Sequence, residues 1–185
     1  MNKRPYRMQA RAAAAAETHR RILEAMRELL SERFLDDITL DEVAARAGVA
    51  TRTVIRRFGG REGLVESAFA EGSLEVGSRR DQVAVGDVEA AVEAVAEDYE
   101  RYGDALIMML AQERRHPGLL APLARQGRED HWRWVTRVFM PRDGLHAAQL
   151  IAATDVYVWK LWRRDLGLSR ARTRKAMIDM VRRLV

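Results

Sequence analysis

The chain has 185 residues, 48% of them hydrophobic and 32% charged, the balance of a globular protein with a real core in one large domain or two small ones. It contains no cysteine, which excludes disulfides and thiolate metal sites and fits a reducing compartment. The net charge of +5 is uneven: residues 1–62 hold 13 Lys+Arg against 9 Asp+Glu, and residues 63–185 hold 19 against 18, so the excess that favours polyanions lies in the front third.

Apolar runs such as "ALIMMLA" (105–111) are too short to span a bilayer, and the basic N-terminus lacks the apolar stretch of a secretory signal. A cytoplasmic protein is the simplest reading. No period-2 alternation persists, and helical spacing recurs almost everywhere, so the fold class is all-α.

In chain order, "NKRPYRMQAR" carries Lys3, Arg4, Arg7 and Arg11 without an acid, either a disordered tail or a basic arm for a minor groove. A first helix is expected over about 12–34, with Ile22, Met26, Leu29 and Leu30 as its stripe. "TLDE" at 39–42 is a capping-box pattern that starts a second helix, and Gly48 ends it. A third, short helix covers about 51–58 and stops at Gly59-Gly60.

Two short helices meeting sharply need small residues where their backbones approach and a turn residue that accepts positive φ; Ala44 and Gly48 meet both needs. Val43, Ala47, Val49, Val54 and Phe58 then fill the wedge against Leu29 and Phe34. This is helix-turn-helix spacing, with Thr51, Arg52, Arg56 and Arg57 turned away from the Val54/Phe58 face. Eight helical residues span about 12 Å, matching a major groove about 12 Å wide. Arginine there can pair with guanine edges or grip phosphates, and threonine can touch a thymine methyl. A solvated basic helix in an ordinary bundle is the bland alternative.

A fourth helix near 61–78 links the halves, with Leu64, Val65, Ala68 and Phe69 inward; the patch "GSRRDQVAVGD" (77–87) reads as a loop. A fifth helix runs from Val88 through Tyr102, with Gly103 as its expected kink or break before "DALIMMLAQERR". Pro117-Gly118 interrupts the chain, a sixth helix follows over about 119–139, and "MPRDG" closes it. The segment 145–165 is apolar nearly all round and reads as one helix buried on every side; Asp155 within it needs Lys160 or an arginine as partner. Ser169 is the expected N-cap of a last helix over about 170–184.

Residues 22–69, "ILEAMRELLSERFLDDITLDEVAARAGVATRTVIRRFGGREGLVESAF", resemble the N-terminal domain of the TetR family of bacterial transcriptional regulators. The resemblance covers the Thr39-capped helix, "AGV", "TVIRRF" and "REGL", about a quarter of the chain. It implies a DNA-binding domain over 1–62 and an effector-binding, dimerising helical bundle over 63–185. It also implies a homodimer on double-stranded operator DNA, with a small molecule as effector, acting as a repressor.

By the same resemblance Thr39 and Thr53 meet phosphates, Thr51 and Arg52 read bases, Arg57 stands at a backbone-contacting position, and Arg61 replaces a usual lysine. Two positions depart from the pattern. Ile55 stands where a phosphate-binding tyrosine is common, a loss that Arg56 and Arg57 are expected to offset. Ala50 stands where a serine usually caps the recognition helix, leaving Thr51 as the alternative cap.

In the second domain, the interior effector candidates are Tyr99, Met108, Met109, Gln112, His131, Trp134 and Tyr157; Met and aromatic side chains make adaptable apolar pockets, though at helical spacing most are core. The expected two-fold interface uses Leu150, Val156 and Trp159 with Met177, Met180, Val181 and Leu184 as a four-helix contact.

Two rivals remain. Glu113-x-x-His116 and Asp143-x-x-His146 echo carboxylate di-metal enzymes, but Asp143 sits in a Pro/Gly breaker and further inward glutamates are lacking. With no Gly-rich phosphate loop either, neither a metal nor a cofactor is expected, and no enzyme. The other rival is an interaction protein that uses the helix-turn-helix only for packing.

Overall fold

The computed structural model describes residues 3–185, with side chains at 8, 9 and from 11 onward. The helices are α1 (Lys3–Glu32), α2 (Leu40–Ala47), α3 (Thr51–Phe58), α4 (Arg61–Asp81), α5 (Val88–Ala111), α6 (Leu120–Phe139), α7 (Gly144–Ala153), α8 (Val156–Lys160) and α9 (Arg170–Arg182). The chain forms two compact units, Met1–Ala70 and Glu71–Val185, with the division inside α4.

In the first unit, α1 begins nine residues before the expected Ala12, because the alanine run at 12–16 has the highest helix propensity and carries the helix back. The backbone of the proposed arm is therefore helical from Lys3; Met1 and Asn2, and the Lys3, Arg4 and Arg7 side chains, lie outside the described residues, while Arg11 is exposed. The other end of α1 also differs. The helix stops at Glu32, and a single 3-10 turn over Leu35–Asp37 turns Phe34 outward, 42% exposed. Leu35 and Ile38 take the place expected for Phe34 and join Ile22, Met26, Leu29, Val43, Val54 and Leu64 in a core closed to water. Each of these side chains contributes roughly 1.5–3 kcal/mol by burial.

In the second unit, α4 runs past the expected stop at 78 to Asp81, so the loop shrinks to 82–87. Arg79 and Arg80 explain the extension: both guanidiniums reach the buried carboxylate of Asp98 on α5, which fixes the last turn of α4. Arg80 also lies 3.0 Å from His131 Nδ1, while His131 Nε2 lies 3.0 Å from Thr154 Oγ1 and the Tyr99 hydroxyl donates to the Thr154 carbonyl at 3.0 Å. Because arginine can only donate, His131 Nδ1 accepts and its Nε2–H donates, which is the neutral tautomer.

Burial is the first reason that the His131 pKa falls to about 3, with the Arg80 charge second. Burial also pushes the Asp98 carboxyl above its ordinary range, against the pull of Arg80 and Arg79.

Gly103 neither kinks nor breaks α5, which is continuous to Ala111. It makes room instead: a Cβ there would sit 2.5 Å from Trp159 Cζ3, and Trp159 is fully buried. The expected single helix over 145–165 is in fact α7, α8 and a π-helical segment, Leu161–Asp165. The break falls at Thr154, and Asp155 caps α8 by accepting from the Tyr157 amide at 2.8 Å, so its partner is a backbone N–H and not a cation; Lys160 pairs with Asp165.

The wide π turn sends consecutive arginines the same way. Arg163 Nε bonds Glu100 at 2.8 Å and Arg164 grips Asp104 with two bonds of 2.8 Å. Nor is this region buried on every side, since Leu145, Tyr157 and Leu161 are 71%, 53% and 47% exposed. Ser169 does cap α9, accepting from Arg172 N at 3.3 Å.

Candidate nucleic-acid interface

The turn between α2 and α3 is built from local rules. Thr39 Oγ1 accepts from the Glu42 amide at 3.2 Å, and the Glu42 carboxylate accepts from the Thr39 amide and hydroxyl at 2.9 Å each. With Arg33 also at 2.9 Å, these bonds hold the Glu42 carboxyl down to about 2, the Thr39 amide being the largest cause. At the other end of α2, Gly48 adopts φ 64° and the Val49 amide returns to the Ala44 carbonyl at 2.9 Å. Ala44 is buried, as the close approach of the helices requires.

Arg21 on α1, which carries no local sequence signal for this role, donates to the carbonyls of Ala47 and Gly48 from beneath the turn. A Cβ on Gly48 would meet its Nη2 at 2.7 Å, but that is the movable tip of a long side chain, so it is the φ of 64° that demands glycine there. Arg46 grips Glu32 with bonds of 2.6 and 3.0 Å and joins α2 to α1.

The α3 helix starts without a side-chain cap. Ala50 occupies the capping position and the Thr53 amide bonds its carbonyl at 2.8 Å. Thr51 does not substitute as the cap, because its hydroxyl donates to Asp41 on α2. Val54 and Phe58 face the core, leaving Arg52, Arg56 and Arg57 exposed on the other side; among the described residues these three make no hydrogen bond or ion pair. Guanidiniums without a neutralising partner among the described residues have the chemistry to pair with phosphates or guanine edges. Ile55, 47% exposed, is the apolar member of that face.

The other candidate DNA-binding residues are differently placed. Arg61 is half-buried and donates to the Leu35 carbonyl at 3.2 Å, so it clasps the 3-10 turn instead of presenting a free cation. Thr39 is exposed, but Glu42 holds the amide and hydroxyl that a phosphate would use, and must yield first. Thr53 is half-buried on the flank of α3.

In the second unit, Tyr99, His131 and Trp134 come together around Arg80: the Trp134 indole N–H donates to the Arg80 carbonyl at 3.3 Å, and the Arg80 guanidinium lies 4.9 Å from the Trp134 ring centre. Met108, Met109 and Gln112 lie apart from them, in the last turns of α5 and just beyond it; Met109 and Gln112 are buried, and Gln112 bonds the Met108 carbonyl at 2.8 Å. Tyr157 is no interior residue at all: it is the second residue of α8 and lies exposed on the surface.

The side chains expected at a two-fold interface do not face outward. Leu150, Val156, Trp159, Met177 and Val181 are buried in their own subunit's core, because α8 and α9 pack on α5 while α7 packs on α6 and α9. Met180 and Leu184 are half-buried against the same core. Apolar side chains do face outward from this unit, among them Trp132, Leu145, Tyr157 and Leu161, and also Leu74, Val85, Met140, Leu166 and Val185.

The residues of the di-metal pattern are occupied elsewhere. Glu113 pairs with Arg128 at 2.8 Å, Asp143 caps α7 by accepting from the His146 amide at 2.8 Å, and His146 Nε2 bonds the Leu184 carbonyl at 2.7 Å. Among the described residues no group of three or more metal-ligating side chains gathers, and no helix is long and apolar enough to cross a membrane.

Comparison with known proteins bears on the same segment. The family described as bacterial regulatory proteins, tetR family, matches residues 22–68. The HTH-type transcriptional regulator AlkX of Mycobacterium tuberculosis is 30% identical over 139 residues, which are 74% of this chain and 62% of AlkX, so the match spans less than two thirds of that relative. An uncharacterized HTH-type transcriptional regulator, YvkB of Bacillus subtilis, is 35% identical over 65 residues, covering 35% of this chain and 34% of YvkB. A crystal structure from Streptomyces coelicolor A3(2), of a protein provisionally assigned as a transcriptional regulator, superposes with a TM-score of 0.60 at 24% identity, over 89% of this chain and 98% of that one. That last likeness speaks for the fold.

Proposed function

We propose that this chain, whose residues 22–68 match the tetR family, belongs to that family and is a DNA-binding transcriptional regulator that grips operator duplex as a homodimer. One observation carries the reading: Arg52, Arg56 and Arg57 stand exposed on the outer face of α3, among the described residues without an internal partner. A helix of this length fits a major groove, and charge-assisted contacts from arginine position the protein while base edges give it register. Thr39, Thr51 and Thr53 flank that face; Arg61 supports it from behind. Such a protein works where the chromosome is, in the cytoplasm. Occupying a promoter blocks transcription by itself, so repression needs no further part.

Homodimerisation sets two recognition helices about one helical turn of DNA apart. Four of the outward apolar residues, Trp132, Leu145, Tyr157 and Leu161, support a two-fold contact through α6, α7, α8 and the π-helical segment, in place of the buried residues of the expected interface. An effector that binds one conformer better than another would lower DNA affinity by that difference. Met108 and Met109 are its candidate contacts, because the polar atoms of Tyr99, His131 and Trp134, and the amide of Gln112, are already bonded within the protein.

The test is fluorescence anisotropy with duplex from upstream of the protein's own gene, with salt varied. A steep negative slope of log K against log salt is expected. A flat slope would favour a helix-turn-helix used only for packing.

A further inference from the structure

Thr51 is the first residue of α3 and stands where its side chain meets base edges if α3 enters the groove. Its hydroxyl is already engaged with Asp41 in the first turn of α2, ten residues earlier in the chain. Asp41 is exposed and, among the described residues, has no cation paired with it: Arg33 is on Glu42, and Arg46 is on Glu32 and Glu28. The first turn of α2 favours a carboxylate through the helix dipole, but that alone does not account for the bond Asp41 takes to Thr51 at the edge of the α3 arginine face.

The chemistry of the bond is restrictive. A carboxylate only accepts, and a threonine hydroxyl has one proton and two lone pairs. With its proton directed to Asp41, Thr51 can offer a duplex only acceptor lone pairs and a methyl group. In the major groove adenine N6 and cytosine N4 donate, thymine presents a methyl, and guanine presents two acceptors, N7 and O6.

We propose that Asp41 is a specificity-determining residue that acts through Thr51, fixing its hydroxyl as an acceptor so that the base it faces cannot be guanine. The inference rests on the reading that α3 enters the major groove. Asp41 touches no base in this scheme; it sets which way the Thr51 proton points. The discrimination it creates equals that of one hydrogen bond and one avoided acceptor–acceptor contact.

The experiment is selection from a randomised duplex pool by the full-length protein, followed by anisotropy on the selected site and on its single-position guanine variants. Wild type should reject guanine at one position per half-site. In Asp41→Ala the freed hydroxyl can donate, and the penalty for guanine should shrink by about three- to tenfold at that position alone. Thr51→Ser, which keeps the hydroxyl, should keep the rejection. In Thr51→Val the Asp41→Ala change should no longer alter the base preference.

Unchanged discrimination in Asp41→Ala, a uniform change across all sequences, or an equal effect in the Thr51→Val background would each overturn the proposal while leaving DNA binding intact. A wild-type protein that enriches no sequence and shows no salt dependence would overturn DNA binding too. Far-UV circular dichroism and thermal unfolding of each variant separate loss of fold from loss of preference.

Discussion

Gly103→Ala tests the packing of α5 against Trp159. A methyl group at this position would lie 2.5, 2.8 and 3.0 Å from Trp159 Cζ3, Cη2 and Cε3. Carbon atoms settle at about 3.5–4.0 Å, so the ring or the helix must move by roughly 1 Å. The ring has little freedom: it is fully buried, its N–H is 3.3 Å from Glu100, and the Arg164 guanidinium lies 4.6 Å from its centre.

Overpacking of this kind typically costs about 1–3 kcal/mol. Against it stands the helix propensity of alanine over glycine, about 1 kcal/mol. Gly77→Ala, in α4 of the same unit, isolates that second effect, because a Cβ there meets nothing within 4 Å. Gly77→Ala should therefore stabilise by ~0.5–1 kcal/mol, while Gly103→Ala should lose that gain and destabilise by up to ~2 kcal/mol.

Urea denaturation read by tryptophan fluorescence is the assay, since all four tryptophans lie between 132 and 162. The double variant Gly103→Ala/Trp159→Phe should show a favourable coupling, the smaller ring accepting the methyl. If the two glycine variants shift stability alike, the close approach of α5 to Trp159 is not what keeps residue 103 a glycine.

Three further outcomes follow from the same structure. Arg57→Ala removes one phosphate contact per subunit, so a dimer's salt slope should flatten by about 2, and the affinity lost between about 50 and 200 mM salt should be about tenfold smaller than for wild type; an unchanged slope in anisotropy would remove Arg57 from the interface. His131 has a folded pKa near 3, below its ordinary 6.5, so the unfolded chain takes up the proton first. Its contribution is complete above pH 6.5 and is lost as pH falls toward 3, with a slope of at most ~1.4 kcal/mol per pH unit. Comparing wild type with His131→Asn by urea denaturation at several pH values isolates that slope from the other histidines, and equal slopes would refute a buried neutral ring. Trp132→Asp should leave the fold intact and convert a dimer to a monomer in analytical ultracentrifugation, with loss of affinity for a two-half-site duplex; a stable dimer would place the two-fold contact elsewhere.

The helix-turn-helix was legible from residue order because its devices act within a few residues: the Thr39–Glu42 box, the left-handed Gly48 and the Val54/Phe58 face each satisfy bonds or burial set by helical period alone. The arginines on α3 were legible for the same reason, since a period of 3.6 fixes which face they share. Nothing comparable marks Arg21, which supports Gly48 from 27 residues away, or Asp41, which occupies the hydroxyl of Thr51; those contacts exist only once α1, α2 and α3 have folded together.

In the second unit an apolar pattern announced burial without naming what would cover it. Leu150, Trp159 and Met177 satisfy the hydrophobic effect equally against a partner or against their own subunit's helices, and the chain's own packing chose the latter. The same packing left Trp132 and Tyr157 outside, continued α4 through Arg80 to reach Asp98, and opened a helix at Thr154 so that Asp155 could cap its second half. Hydrophobic burial has no direction, so it leaves partner choice to shape, whereas caps and left-handed glycines depend on bonds only a few residues long.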